Sequence, residues 1–102
     1  MTTTSHTSAL DAVLSHIDTT LDASVERLFS LLRIPSISTQ PSHAADCRKA
    51  AEWLQADMAS MGLTADIREV RWAAPGPPMV VAHDSTQAGK PHVLFYGHYD
   101  VQ

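Results

Sequence analysis

The residues of this 102-residue chain best suited to chemistry sit together in the run Gly97-His98-Tyr99-Asp100. On an extended backbone, positions two apart point to the same side, so His98 and Asp100 share a face. The carboxylate can then accept a hydrogen bond from one imidazole nitrogen while the other nitrogen holds a cation. Such pairing fixes the tautomer and strengthens the ligand. Taken alone, the His-x-Asp triplet describes two things equally well. It fits a metal ligand with its orienting carboxylate, and it fits a strand-end histidine satisfied by its neighbour.

The other candidate ligands do not assemble into a second site. His92 precedes His98 on the same extended run, which separates them by about 20 Å at ~3.3 Å per residue. His83 and Asp84 are adjacent and should point to opposite faces. His43 and Cys47 lie one helical turn apart, but two ligands do not close a zinc site, and a buried cysteine is common. His6 and His16 need only solvent-facing roles. The chain has no Gly-rich phosphate loop, nucleophile elbow or Cys-x-x-Cys pair.

The elements that must position the triplet follow from periodicity. Leu10, Val13, Leu14, Ile17, Leu21, Val25, Leu28, Phe29 and Leu32 recur at steps of three and four, the mark of an amphipathic helix whose apolar stripe should enter a core. Ser8 is suited to cap it and Pro35 to end it near Arg33. Thr19, Thr20 and Ser24 also allow two shorter helices meeting near Asp22. Pro35 to Pro41 reads as an extended connector. A second helix is expected from Ser42 to about Met61, with Cys47, Ala50, Ala51, Leu54, Met58 and Met61 on one face and Gly62 as its left-handed stop. The period then falls towards two. Strands are expected from Leu63 to Arg71 or Trp72, from Met79 to Ala82, and from Val93 to Tyr96, separated by Pro- and Gly-containing breaks. The third strand is apolar on both faces and runs directly into His98 and Asp100, and the carboxyl end of a strand is where sheet sites commonly lie. The expected fold class is α/β, with two N-terminal helices followed by strands of a mixed sheet.

Composition removes several function classes. The hydrophobic fraction is 44%, the charged fraction 18% and the net charge −4. That balance suits a globular chain rather than a disordered one. It offers no basic stripe for nucleic acid. The apolar runs are far shorter than the roughly twenty residues of a membrane span, so no membrane association is expected. The start, residues 1–8, is polar and expected to be disordered, with neither the basic nor the apolar region of a secretory signal. Cys47 is the sole cysteine, which fits a reducing compartment and makes the cytoplasm the expected location.

The run from Val93 to Gln102 (Val-Leu-Phe-Tyr-Gly-His-Tyr-Asp-Val-Gln) resembles the first metal-site motif of a zinc-dependent peptidase family. That family includes carnosinase-type dipeptidases, glutamate carboxypeptidase and acetylornithine deacetylase. The resemblance extends through Leu31-Leu32-Arg33-Ile34-Pro35-Ser36-Ile37-Ser38, Asp46-Cys47-Arg48-Lys49-Ala50-Ala51-Glu52-Trp53-Leu54 and Met61-Gly62-Leu63. It therefore covers most of the chain from about Leu28, and Tyr99 with Gln102 is similar to the dipeptidase branch.

This resemblance implies a metal-dependent dipeptidase that cleaves dipeptides or short peptides with metal-activated water. His98 would be a ligand to one of two zinc ions. Asp100 would be the catalytic-site residue that orients its imidazole without being the general base. It also implies later residues that these 102 lack: an aspartate bridging the ions, a glutamate pair supplying the general base, and a second domain for dimerisation. On this reading residues 1–102 are the N-terminal portion of a peptidase catalytic domain, homodimeric when intact, and by themselves not a competent hydrolase. The alternative is a non-catalytic small α/β binding module or an inactive truncated product.

Overall fold

The computed structural model describes residues 2–71 and 76–102, with residues 2–7 described by their backbone alone. The chain divides into two units, Met1–Leu32 and Arg33–Gln102. The first unit holds one continuous helix, α1, Thr2–Leu32. It begins at Thr2, inside the polar start expected to be disordered, runs through Ser8, the expected cap, and does not break near Asp22. The hydroxyls in its middle are accommodated by bonding back to the preceding turn. Thr19 Oγ1 and Thr20 Oγ1 donate to the His16 carbonyl at 3.0 and 2.7 Å, and Ser30 Oγ donates to that of Glu26 at 3.1 Å. The helix stops at Leu32, as the approach of Pro35 requires. Leu10, Leu14, Ile17, Leu21 and Leu28, expected to enter a core, are exposed. Helical hydrogen bonds close within the segment itself, so this pattern fixes the helix without requiring that these five side chains be buried.

The second unit is an α/β arrangement. A single 3-10 turn, Pro41–His43, leads into helix α2, Ala44–Ser60. At its start Asp46 sits in the first turn, where the helix dipole favours an anion, and its Oδ2 lies 2.8 Å from His43 Nδ1. At its end Gly62 takes φ +88, with Gly62 N–H donating to the Ala59 carbonyl and Leu63 N–H to that of Met58. This is the paired closure that only a residue tolerant of positive φ completes without strain. Strands β1, Thr64–Arg68, and β2, Met79–His83, form a two-stranded antiparallel sheet. Their register pairs Thr64 with His83 and Arg68 with Met79. β1 begins one residue after Leu63 but ends at Arg68, short of the expected Arg71 or Trp72, because its partner β2 begins at Met79 opposite Arg68; Trp72 and Ala73-Ala74-Pro75 lie outside the described residues.

Helix α2 packs on both strands. Cys47, Ala50 and Ala51 form the buried centre of this contact, with Leu54 and Met58 half-buried beside them. Small side chains here let the helix approach the sheet closely. Along β1 Ala65 and Ile67 are half-buried while Thr64, Asp66 and Arg68 are exposed, the alternation expected of a strand covered on one face. Gln55 Nε2 donates to the Ala65 carbonyl at 3.0 Å and ties the helix to the strand.

The expected third strand is where the structure departs. Val93, Leu94, Phe95 and Tyr96 form no ladder and are 75–92% exposed. The only parallel pairing among the described residues is one isolated bridge between Ile37 and Val101. Among the described residues no helix is long and apolar enough to cross a membrane.

Candidate metal-ligand pair

His98 and Asp100 lie beyond the Val93–Tyr96 run, in a segment held by the connector that follows α1 rather than by the sheet. Val101 N–H donates to the Ser36 carbonyl at 2.9 Å, and Ser38 N–H donates to the Val101 carbonyl at 3.1 Å. These two bonds make the Ile37–Val101 bridge. Ser36 is buried, and its Oγ donates to the Tyr99 carbonyl at 3.0 Å. From the other side, the half-buried Tyr99 hydroxyl donates to the Pro78 carbonyl just before β2. Four hydrogen bonds thus fix the backbone around Asp100 although it belongs to no strand.

Within that frame the two candidate residues meet. His98 Nδ1 lies 3.1 Å from Asp100 Oδ1 and 3.3 Å from the Asp100 carbonyl oxygen. The second carboxylate oxygen, Oδ2, accepts a hydrogen bond from Ser38 Oγ at 2.6 Å. The Ser38 hydroxyl lowers the Asp100 pKa from its ordinary value, and the imidazole of His98 adds to this. The two side chains differ in setting, with His98 73% exposed and Asp100 27%. An ionised carboxylate facing Nδ1 favours a proton on that nitrogen, which leaves the lone pair on Nε2 of a largely exposed side chain.

Two further groups border this region. Burial raises the Cys47 thiol pKa, and the charges of Asp100 and Asp46 raise it further. Burial likewise raises the Tyr99 phenol, with smaller additions from Cys47, Asp100 and Glu69. A shallow cavity of about 350 Å³ lies between Ser38 to Pro41, Ala44, Cys47 and the Gly76-Pro77-Pro78 run.

The remaining histidines are placed elsewhere. His43 pairs with Asp46, not with the buried Cys47. His83 ends β2, while Asp84 accepts from Thr86 N–H and Oγ1 at 2.9 and 2.6 Å in a local turn. His16 and His92 are exposed. The side chain of His6 lies outside the described residues. Ser36 and Ser38 carry neither a periodic apolar pattern nor a metal-ligand type, so nothing local marks them. Their spacing puts both hydroxyls on one side of an extended connector, but their partners lie more than sixty positions away.

No family model and no solved structure matches the chain. Four curated proteins do, two Cys-Gly metallodipeptidases among them. A Cys-Gly metallodipeptidase of Schizosaccharomyces pombe is 27% identical over 100 residues, covering 92% of this chain and 21% of its own length. A Cys-Gly metallodipeptidase of Candida albicans is 31% identical over 87 residues, covering 76% of this chain and 18% of its own. The chain is related to metallodipeptidases. It spans about a fifth of the length of the curated relatives it matches. Both relatives are metal-dependent by name. The donor chemistry fits in part, because His98 offers an exposed imidazole with its inner nitrogen engaged. No group of three or more His, Cys, Asp or Glu able to hold an ion occurs among the described residues.

Proposed function

We propose that this chain is the N-terminal portion of a metal-dependent dipeptidase, in which His98 is a zinc ligand and Asp100 holds His98. The observation carrying this reading is the imidazole–carboxylate contact of 3.1 Å in a chain related to metallodipeptidases. The substrates are dipeptides or short peptides, and the relatives, both Cys-Gly metallodipeptidases, make Cys-Gly the first to test. Zinc, when bound, polarises the peptide carbonyl and lowers the pKa of water. The residues of this chain bind and orient. His98 supplies Nε2 as a donor, Asp100 holds the proton at Nδ1, and the bridge from Ile37 to Val101 keeps both on a fixed backbone. The remaining ligands, the proton-shuttling glutamate and the dimer-forming domain belong to sequence that these 102 residues do not contain. The intact enzyme is cytoplasmic and homodimeric on this reading, and the 102 residues alone are inactive.

The test is zinc affinity and Cys-Gly hydrolysis in the protein encoded by the whole reading frame, compared with its His98→Ala and Asp100→Asn variants. Asp100→Asn should lower zinc affinity or activity by roughly 10–100-fold, the usual cost of losing a carboxylate behind a ligating histidine. His98→Ala should cost more. Undiminished zinc binding in His98→Ala would remove His98 from the site.

A second reading, a non-catalytic α/β binding module, draws on the exposed apolar residues of α1 and of Val93–Tyr96. The coding sequence after Gln102 separates the two. A frame continuing to an aspartate and then paired glutamates favours the dipeptidase, and a stop codon favours the module.

A further inference from the structure

We infer that Ser38 is a positioning residue for the His98–Asp100 pair, setting the rotation of the Asp100 carboxylate and through it the imidazole tautomer. The inference deepens the proposed function and rests on it for one point, that Nε2 serves a metal.

An aspartate carboxylate turns about a broad, two-fold torsion, so nothing intrinsic to Asp100 keeps one oxygen aimed at Nδ1. The Ser38 hydroxyl supplies that constraint. Its 2.6 Å bond to Oδ2 is of the short, charge-assisted kind, whereas Oδ1 to His98 Nδ1 is 3.1 Å. The hydroxyl is itself anchored. Ser38 N–H donates to the Val101 carbonyl and Val101 N–H to the Ser36 carbonyl, both bonds falling on the residue next to Asp100. The serine and the aspartate therefore cannot drift apart without breaking the Ile37–Val101 bridge.

A competing acceptor exists in the Asp100 carbonyl oxygen, 3.3 Å from Nδ1. It is neutral and more distant, so it holds the Nδ1 proton less firmly than an aligned carboxylate. With Ser38 in place the neutral imidazole is protonated at Nδ1, and Nε2 keeps the lone pair a cation requires. Without the hydroxyl the carboxylate turns away and the two tautomers mix.

The ¹⁵N-labelled 102-residue chain reports this directly, at a pH well above the ordinary imidazole range of about 6.5. Long-range ¹H–¹⁵N correlations should show His98 with a protonated Nδ1 and a bare Nε2. In Ser38→Ala the two nitrogen shifts should move together as the other tautomer enters. Ser38→Thr, which keeps a hydroxyl, should retain the original pattern. Ser36→Ala should also retain it, because that hydroxyl bonds only to the Tyr99 backbone. If Ser38→Ala disturbs the amide spectrum as a whole, the near-isosteric pair Ser38→Thr and Ser38→Val carries the comparison. A His98 tautomer unaltered by Ser38→Ala or Ser38→Val overturns the inference, as does a wild-type His98 already mixed.

Zinc chloride added to the wild-type chain separates this from the reading beneath it. A shift confined to Nε2 supports His98 as ligand. If zinc leaves His98 untouched while Ser38→Ala still mixes the tautomers, the positioning role stands and the ligand role falls.

Discussion

Met79–His83 and Val93–Tyr96 are built from similar residue types, Val, Ala and Met in one, Val, Leu, Phe and Tyr in the other. Both have the composition of a strand, the second more strongly. Only the first is one. β2 has β1 in antiparallel register beside it and α2 across its face, so its backbone is paired and its middle residues are half-buried. Val93–Tyr96 has no ladder, and its four side chains are 75–92% exposed. Apolar, β-favouring side chains thus make a segment able to enter a sheet, while the ladder of a neighbour makes it a strand. The residues just after this open run are nonetheless fixed, because Ser36 and Ser38 take the place of a neighbouring strand for Tyr99, Asp100 and Val101.

The contrast is most exposed to test at its buried end. Ala50 is 0% exposed beneath the sheet, and Ala50→Leu forces extra volume into that contact. It should destabilise the chain by about 1–3 kcal/mol in denaturant unfolding. Phe95→Ser, in the open run, should change stability by no more than about 0.5 kcal/mol while improving solubility. Comparable losses in both variants would mean that Phe95 is buried in solution and would erase the distinction. Hydrogen exchange should agree, with protection in the β1–β2 ladder and fast exchange through Leu94–Tyr96.

A smaller effect is expected where the connector substitutes for a strand. Ser36→Ala removes the hydroxyl that satisfies the Tyr99 carbonyl and should cost about 1 kcal/mol. A neutral result would mean that the bridge at Ile37 suffices to hold the segment.

The smallest effect concerns pH. The folded chain raises the Cys47 thiol pKa, chiefly by burial and then by the charges of Asp100 and Asp46. A raised folded pKa means that stability is fully present below the ordinary thiol value of about 8.5 and is lost as pH rises through the folded value. The unfolding midpoint should therefore fall on the alkaline side, and Cys47→Ala should flatten that fall. The raised Tyr99 phenol leaves a residual slope at higher pH. Thiol alkylation should be slower than for a free cysteine at the same pH, and equal rates would place Cys47 at the surface.

Some of this was legible in the residues themselves. The step of three and four from Leu10 to Leu32 announced α1, and Cys47, Ala50 and Ala51 announced the buried face of α2. Gly62 marked the end of that helix, because few other residues accept φ +88. The alternation at Leu63 to Ile67 marked β1. The His98–Asp100 contact also followed from spacing, since both ends of it lie two positions apart on an extended backbone. Each of these depends on interactions within a few residues, and periodicity records such interactions directly.

What lay beyond the sequence depends on partners distant along the chain. Nothing near Val93–Tyr96 tells that the run is unpaired, because a strand's pairing is a property of its neighbour. Nothing near α1 tells that Leu10 to Leu28 are exposed. Ser38 is an unremarked hydroxyl in a connector until the fold brings it 2.6 Å from a carboxylate sixty-two positions away. Local spacing determined which residues could act as a pair. The tertiary structure decided what holds that pair in place, because a hydrogen bond between distant residues exists only once the chain between them has closed.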